Sequence, residues 1–271
     1  MSRHESSRQR SLFNLAESQV FYELPLNERT RNFLRLEHLF ATVEQAMEQN
    51  GDLDGRNAIV GLIDVTDLLA RSDIKSELIK ELERQHGLLV PLRSSPQVDA
   101  ARLGHLLERL GELITTLKSP ACQPGQCLRS DELVTAIRQR VSIPGGACSF
   151  DLPALHHWLS RGAEFRAREL AQWAADLRPI KDGVRLALSL LRESAHPRHV
   201  TAASGFFNQT IDATLPCHLV RVGLPLTADC FPEISGGKHR FTVRFMRQMS
   251  TTSRPSQVED DIDFDLQCCV F

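Results

Sequence analysis

Arg240, Thr242 and Arg244 stand at alternate positions, so a strand would put both arginines on one side, and Lys238 two residues earlier continues the row. Three cations on one strand face with no acid between them repel one another unless something negative covers them. A partner's carboxylate would do so. Asp263 and Asp265 share a side of a later segment by the same alternation and are the competing acceptors, as cross-strand counter-ions. A second basic row lies near the start of the chain, where Arg31, Arg35 and His38 fall at i, i+4 and i+7 on the flank of an apolar helical stripe. The plain alternative there is a solvated face, with Glu28 neutralising one of the arginines.

The other groups capable of chemistry are thiols and imidazoles. Cys122 and Cys127 flank Pro124 and Gly125, Cys217 precedes His218, and Cys268 adjoins Cys269, but none has paired C-x-x-C spacing. No metal site is expected. Cys148 lies near His156 and His157, which permits a nucleophile and base by sequence proximity alone, the basis of a cysteine-dependent hydrolase reading. The chain carries no G-x-S-x-G elbow, phosphate-cradling loop, dinucleotide fingerprint or H-E-x-x-H pair, so no cofactor is expected. Pro144, Gly145 and Gly146 predict a shaped turn over 143–151, with Asp151 capping the next helix and Phe150 and Leu152 anchoring it. The functional alternative is a loop that exposes His156 to a ligand.

Composition bounds these options. With 32 Lys and Arg against 34 Asp and Glu the formal charge is -2, so no broad phosphate-attracting field exists and any basic site is local. Aromatic residues make up 6% of the chain, too few for a base-stacking platform, which weakens the alternative of a nucleic-acid-binding adaptor that uses the same basic surface. Seven cysteines, an odd number without a compact framework, suit a reducing compartment and therefore the cytoplasm. No apolar run approaches the roughly 20 residues of a spanning helix, and no apolar leader follows the polar start, so neither membrane insertion nor secretion is expected.

The elements that must position these residues divide the chain in two. A helical domain over 20–195, with about seven helices, precedes a small, mainly antiparallel β domain over 196–271, an α+β organisation; residues 1–19 are expected to be a disordered extension. Phe33, Leu36, Phe40, Val43 and Met47 stripe a helix over 27–50, stopped by Gly51. Helices over 56–70 and 73–86 follow, the second capped by Ser72 and ended or loosened by Gly87. Leu103, Leu106, Leu107, Leu110, Leu113, Ile114 and Leu117 define the helix over 98–118. A Ser130 cap opens a shorter one through Leu133, Ile137 and Val141. Ala167 to Leu177 marks another, closed by Pro179, and Val184, Ala187, Leu188 and Leu191 mark a last one, apolar on two sides and so central. Alternation predicts strands over 219–224, 240–246 and 262–270, and one over 20–26 that joins them.

Several blocks stand out: Phe21-Tyr22-Glu23-Leu24-Pro25-Leu26-Asn27-Glu28 with Phe33-Leu34-Arg35-Leu36-Glu37, and Ile137-Arg138-Gln139-Arg140-Val141-Ser142-Ile143-Pro144-Gly145-Gly146 with Cys148-Ser149-Phe150-Asp151-Leu152-Pro153. Later come Ser235-Gly236, Lys238, Arg240-Phe241, Arg244-Phe245-Met246, and Asp263-Phe264 near Cys268-Cys269. Together these blocks, over about 20–269, resemble the ZapD family of bacterial cell-division proteins.

The resemblance implies a non-enzymatic, cytoplasmic homodimer at the mid-cell division site. Such a protein binds the acidic and apolar C-terminal peptide of FtsZ and cross-links its filaments, stabilising the Z ring. Arginine suits that target because its planar fork clasps a carboxylate with two hydrogen bonds. Carried over by motif, the contacts are Arg35, Arg71, His156, Arg240 and Arg244, to which the strand row adds Lys238. Glu132 stands where relatives can carry an arginine, which would redraw or weaken the basic pocket.

Overall fold

The computed structural model describes residues 19–49, 51–71, 73–212 and 214–270. The chain is α+β and divides into two compact units, Asn32–Ser189 and a second made of the residues up to Arg31 together with Leu190–Phe271.

The second unit is built from β1 (Gln19–Pro25), β2 (Arg198–Ala202), β3 (Phe206–Thr210), β4 (Leu219–Pro225), β5 (Phe231–Gly236), β6 (Arg240–Arg247), β7 (Ser256–Gln257) and β8 (Ile262–Cys269). One antiparallel sheet has the order β1-β4-β8-β2, the other β3-β6-β5, with β7 pairing β6. β1 lies at the edge of its sheet, antiparallel to β4 from Gln19 opposite Pro225 to Pro25 opposite Leu219.

Alternation explains the core. Phe241, Val243 and Phe245 of β6 are fully buried, as are Val220 and Val222 of β4, with Phe264 and Leu266 of β8 beside them. Aromatic rings bridge the two sheets: Phe245 lies 5.0 Å from Phe264, and Phe207 meets Phe264 edge-on at 5.5 Å. The short strands β2, β3, β5 and β7 were not expected from sequence, because each offers too few alternating apolar positions to stand out.

The chain passes from one sheet to the other at a tight turn, where Ser204 (φ 49°) and Gly205 (φ 67°) both take left-handed backbone and Phe206 N–H donates to Ala203 O at 3.0 Å. A Cβ at Gly205 would lie 2.3 Å from Val258 O, a backbone atom that cannot swing aside. Gly205→Ala is therefore expected to lower stability in urea unfolding by on the order of 2 kcal/mol, from left-handed strain together with displaced backbone. An unchanged midpoint would show that the turn relaxes freely.

The unit Asn32–Ser189 is helical. Its elements are α1 (Glu28–Gln49), α2 (Asp52–Arg71), α3 (Ile74–Leu89), α4 (Ala100–Lys118), α5 (Gln126–Arg129), α6 (Glu132–Arg140), α7 (Pro153–Leu159), α8 (Ala163–Ala174) and α9 (Arg178–Glu193). The unit boundaries fall inside α1 and α9. Among the described residues seven helices reach nine residues or more, and α5 and α7 are short additions.

The expected stripe of α1 is buried at Phe33, Leu36, Phe40 and Val43, with Met47 half-buried at its end. On α4, Leu103, Leu107, Leu110 and Leu117 are buried, while Leu106, Leu113 and Ile114 flank them half-exposed. Within this unit α9 is central: Ile180, Val184 and Leu188 are fully buried, and Ala187 O accepts from the buried Gln85 of α3 at 3.1 Å.

Three local expectations are corrected. Gly87 does not end α3, which runs on to Leu89 and into a 3-10 segment, Val90–Ser94; nothing crowds Gly87, so the helix absorbs the roughly 1 kcal/mol glycine cost. The cap of α3 is Asp73, whose carboxylate accepts from Ser76 N–H, and Ser72 lies outside the described residues. The cap of α6 is Asp131, not Ser130: Asp131 accepts from Val134 N–H at 3.0 Å and from Trp173 Nε1 at 3.0 Å, whereas the Ser130 hydroxyl donates back to Gln126 O. The buried face of α6 accordingly centres on Val134 and Ile137, leaving Leu133 half-buried and Val141 exposed.

Candidate functional site

The period of two turns Arg240 and Arg244 of β6 outward while their neighbours fill the core. Arg244 lies opposite Phe206 on β3 and opposite Glu233 on β5; Thr242 lies opposite Asn208 and Ser235; Arg240 lies opposite Thr210. Thr242 is neutral and hydrogen-bonded to the Ser235 hydroxyl at 2.8 Å. Among the described residues no ion pair involves Arg240, Arg244 or Lys238, although Glu233 stands across from Arg244. Two guanidinium groups without an ion pair among the described residues thus share one outward sheet face, with Glu233 across from one of them.

Lys238 does not continue that strand. It sits in the hairpin turn between β5 and β6, closed by Gly237 N–H donating to Arg240 O at 3.0 Å, so the period-two argument stops at Arg240. The turn does keep Lys238 beside the face: residues 235–242 line an open depression of about 530 Å³ that holds both Lys238 and Arg240.

Asp263 and Asp265 are not the counter-ions of these arginines. They belong to β8, in the other sheet, where Asp263 accepts from the Thr201 hydroxyl at 2.6 Å. Asp265 accepts from Gln19 Nε2 at 2.7 Å and lies 3.3 Å from His199 Nδ1. Alternation along one strand says nothing about which sheet that strand joins.

In the helical unit, Arg35 and His38 are exposed on α1, Arg71 is exposed at the end of α2, and His156 is exposed on α7. These are separate helices. Arg71 has acids near it on its own helix: burial first, then the charge of Asp67, pushes the Asp64 carboxyl up, and Arg71 partly offsets that. Asp67 is itself paired with Arg138, 3.4 Å away. In the other unit Glu28 pairs with Arg31 at 3.2 Å. Glu132 is exposed in the first turn of α6, where the N-terminal end of a helix favours an acid.

The turn over 143–152 is shaped by its glycines: Gly145 has φ 74°, and a Cβ on Gly146 would lie 2.7 Å from Arg140 O. Asp151 does not cap α7. It accepts from Arg140 Nη1 at 3.1 Å, and Leu152 occupies the cap position with no side-chain hydrogen bond. Leu152 is buried, but Phe150 is 82% exposed and anchors nothing within the unit.

Apart from Cys217 and its neighbours Cys268 and Cys269, the thiols are dispersed. Cys148 is exposed, and among the described residues no hydrogen bond joins it to His156 or His157. Cys217 is buried; its hydrogen bond to Cys268, followed by burial, pushes its thiol well up. Among the described residues no cluster of three or more His, Cys, Asp or Glu side chains is arranged to hold a metal, and no helix is long and apolar enough to cross a membrane.

Sequence reading missed Phe206, which is 37% exposed beside Arg244. Its signal was the Ser204-Gly205 turn followed by the alternating Phe206 to Thr210, a segment too short to be recognised alone.

These features define an α+β protein with a helical unit and an antiparallel two-sheet unit that presents a cationic face. The ZapD family model, described as a cell division protein, matches residues 34–244. The chain is 40% identical over 253 residues to the cell division protein ZapD of Methylococcus capsulatus, covering 93% of this chain and 99% of that protein. It is 36% identical to ZapD of an Azoarcus species, covering 92% and 99%, and 34% identical to ZapD of Coxiella burnetii, covering 92% and 97%. The chain belongs to the ZapD family, and its role lies in cell division.

Proposed function

We propose that the chain is a non-enzymatic division factor that binds the acidic C-terminal tail of FtsZ and, as a homodimer, cross-links FtsZ filaments into the Z ring at mid-cell. The observation that carries this reading is the pair Arg240 and Arg244, on the same outward sheet face with no ion pair among the described residues. Family membership supplies the division context. Arg35, Arg71, His156 and Lys238 are proposed as further contacts. A dimer carries two copies of each site, so it can hold tails from two filaments, and the dense array of tails on a filament lets weak contacts add through effective concentration. Such cross-linking requires neither catalysis nor a cofactor.

The decisive experiment is co-sedimentation with FtsZ filaments of the same host, with and without the FtsZ C-terminal peptide. The expected result is co-pelleting and bundling that vanish when the peptide is deleted. Persistent pelleting with tail-less FtsZ overturns the reading. A gel shift of duplex DNA at physiological salt would put a nucleic-acid-binding adaptor in its place.

A further inference from the structure

We infer that the outer face of the β3-β6-β5 sheet reads an extended peptide whose two carboxylates stand four residues apart, with an apolar side chain beside one of them seated on Phe206. This rests on the proposed site and specifies its ligand. Arg240 and Arg244 are four residues apart on one strand, which separates them by about 13 Å. An extended ligand spans that distance in about four residues, whereas a helix needs about nine. Thr242 between them is short and held by Ser235, so it leaves room for a chain laid from one arginine to the other.

The face is asymmetric. Phe206 lies directly across from Arg244, so the two side chains leave the same face of neighbouring strands at that end. At the Arg240 end the neighbour is Thr210, and Lys238 follows in the turn, so that end is cationic without an apolar partner. Strand parity, not failed packing, exposes Phe206: the next residue, Phe207, points inward against Phe264 and Phe241. Glu233, on the opposite side of Arg244, repels a ligand carboxylate and so favours the Phe206 side. The ligand therefore carries its apolar residue next to one acid only.

The test uses the full chain and fluorescence anisotropy with labelled synthetic peptides in an otherwise Ser/Thr background. One has Asp residues four apart with Leu beside one of them, a second has the Asp residues two apart, a third replaces Leu with Ser, and the host FtsZ tail is the fourth. The four-apart Leu peptide is expected to bind about tenfold more tightly than the two-apart peptide. Phe206→Ala should weaken it about five- to tenfold while leaving the Ser peptide unchanged, and Phe206→Leu should restore most of the loss. Phe206 faces away from the core, so both variants should fold, with Phe206→Ala unfolding only somewhat below the wild type because part of the ring is covered. Equal affinity for both spacings, no response to Phe206→Ala, or no binding of any designed peptide overturns the inference. Binding of the designed peptides without binding of the FtsZ tail keeps this inference and overturns the FtsZ reading. Tail binding that ignores both spacing and Phe206 does the reverse.

Discussion

Replacing Arg240 and Arg244 together with glutamate is expected to weaken FtsZ-tail binding by at least about thirtyfold and to abolish bundling, with folding intact. Each exposed arginine–carboxylate contact contributes about 0.5–1 kcal/mol at physiological salt, because solvent and ions screen it. Reversal removes two such attractions and installs two repulsions of similar size, about 2–4 kcal/mol together, and every 1.4 kcal/mol is tenfold in affinity. Bundling multiplies the loss, since each cross-link needs two tails held at once. The fold should tolerate the change because both guanidinium groups point outward and anchor no ion pair among the described residues, although glutamate at position 244 would face Glu233 across the strands at a cost of about 0.2–1 kcal/mol. Lysine at both positions should leave intermediate affinity, keeping charge but losing the planar two-bond grip. The measurement is anisotropy with the tail peptide alongside thermal unfolding. Wild-type affinity in a folded double-glutamate protein would remove this strand from the site.

The largest stability effect is expected at Glu23. This carboxylate on β1 accepts from Arg192 Nε and Nη2 at 2.8 and 2.9 Å and from Arg221 Nε at 2.7 Å. Its side chain is only 17% exposed. Arg221 also donates to Gln267 at 2.6 Å and stacks over Phe21, so one acid organises two cations and the surface around them. Glu23→Ala leaves two largely buried guanidinium groups without their counter-ion and is expected to cost about 3 kcal/mol or more in urea unfolding. A loss under about 1 kcal/mol would mean that solvent replaces the carboxylate freely.

The pH dependence follows with a definite sign. Burial pushes the Glu23 carboxyl up, but hydrogen bonds and charges from Arg192 and Arg221 together outweigh it, so its folded value is lowered. The stabilisation is present above the unfolded value of about 4.3 and disappears as pH falls through the lower folded value. Wild-type stability should therefore hold near pH 6 and decline below about pH 4. Glu23→Gln, which keeps the shape without the charge, should lose that component of the acid decline. An identical acid profile in the variant would assign the decline to other carboxylates.

Much of the helical unit was legible because its helices are long enough for the 3.6-residue period to repeat several times, as on α1 and α4. Caps were legible only to within a residue. Both Ser130 and Asp131 suit an N-terminus, and Asp131 is the one that also takes Trp173 Nε1, a partner 42 positions away. In the β unit the inward and outward sides of β6 were read directly, since Phe241, Val243 and Phe245 alternate with polar residues. What covers the outward side was not. Asp263 and Asp265 competed for that role until the sheet order put β8 elsewhere.

By itself, then, the sequence determined the class of the chain, its long helices, the side of β6 that carries Arg240 and Arg244, and the family to which it belongs, because each depends on local periodicity or on residues in fixed order. Only the tertiary structure decided that the strand arginines lack the aspartates as partners, that Lys238 lies in a turn, that Phe206 stands beside Arg244, and that Glu23 holds Arg192 and Arg221. Each of these depends on strand pairing or on contacts between segments far apart in the chain. Periodicity says which way a side chain faces along its own element, but the chain's long-range pairing selects the neighbour it meets.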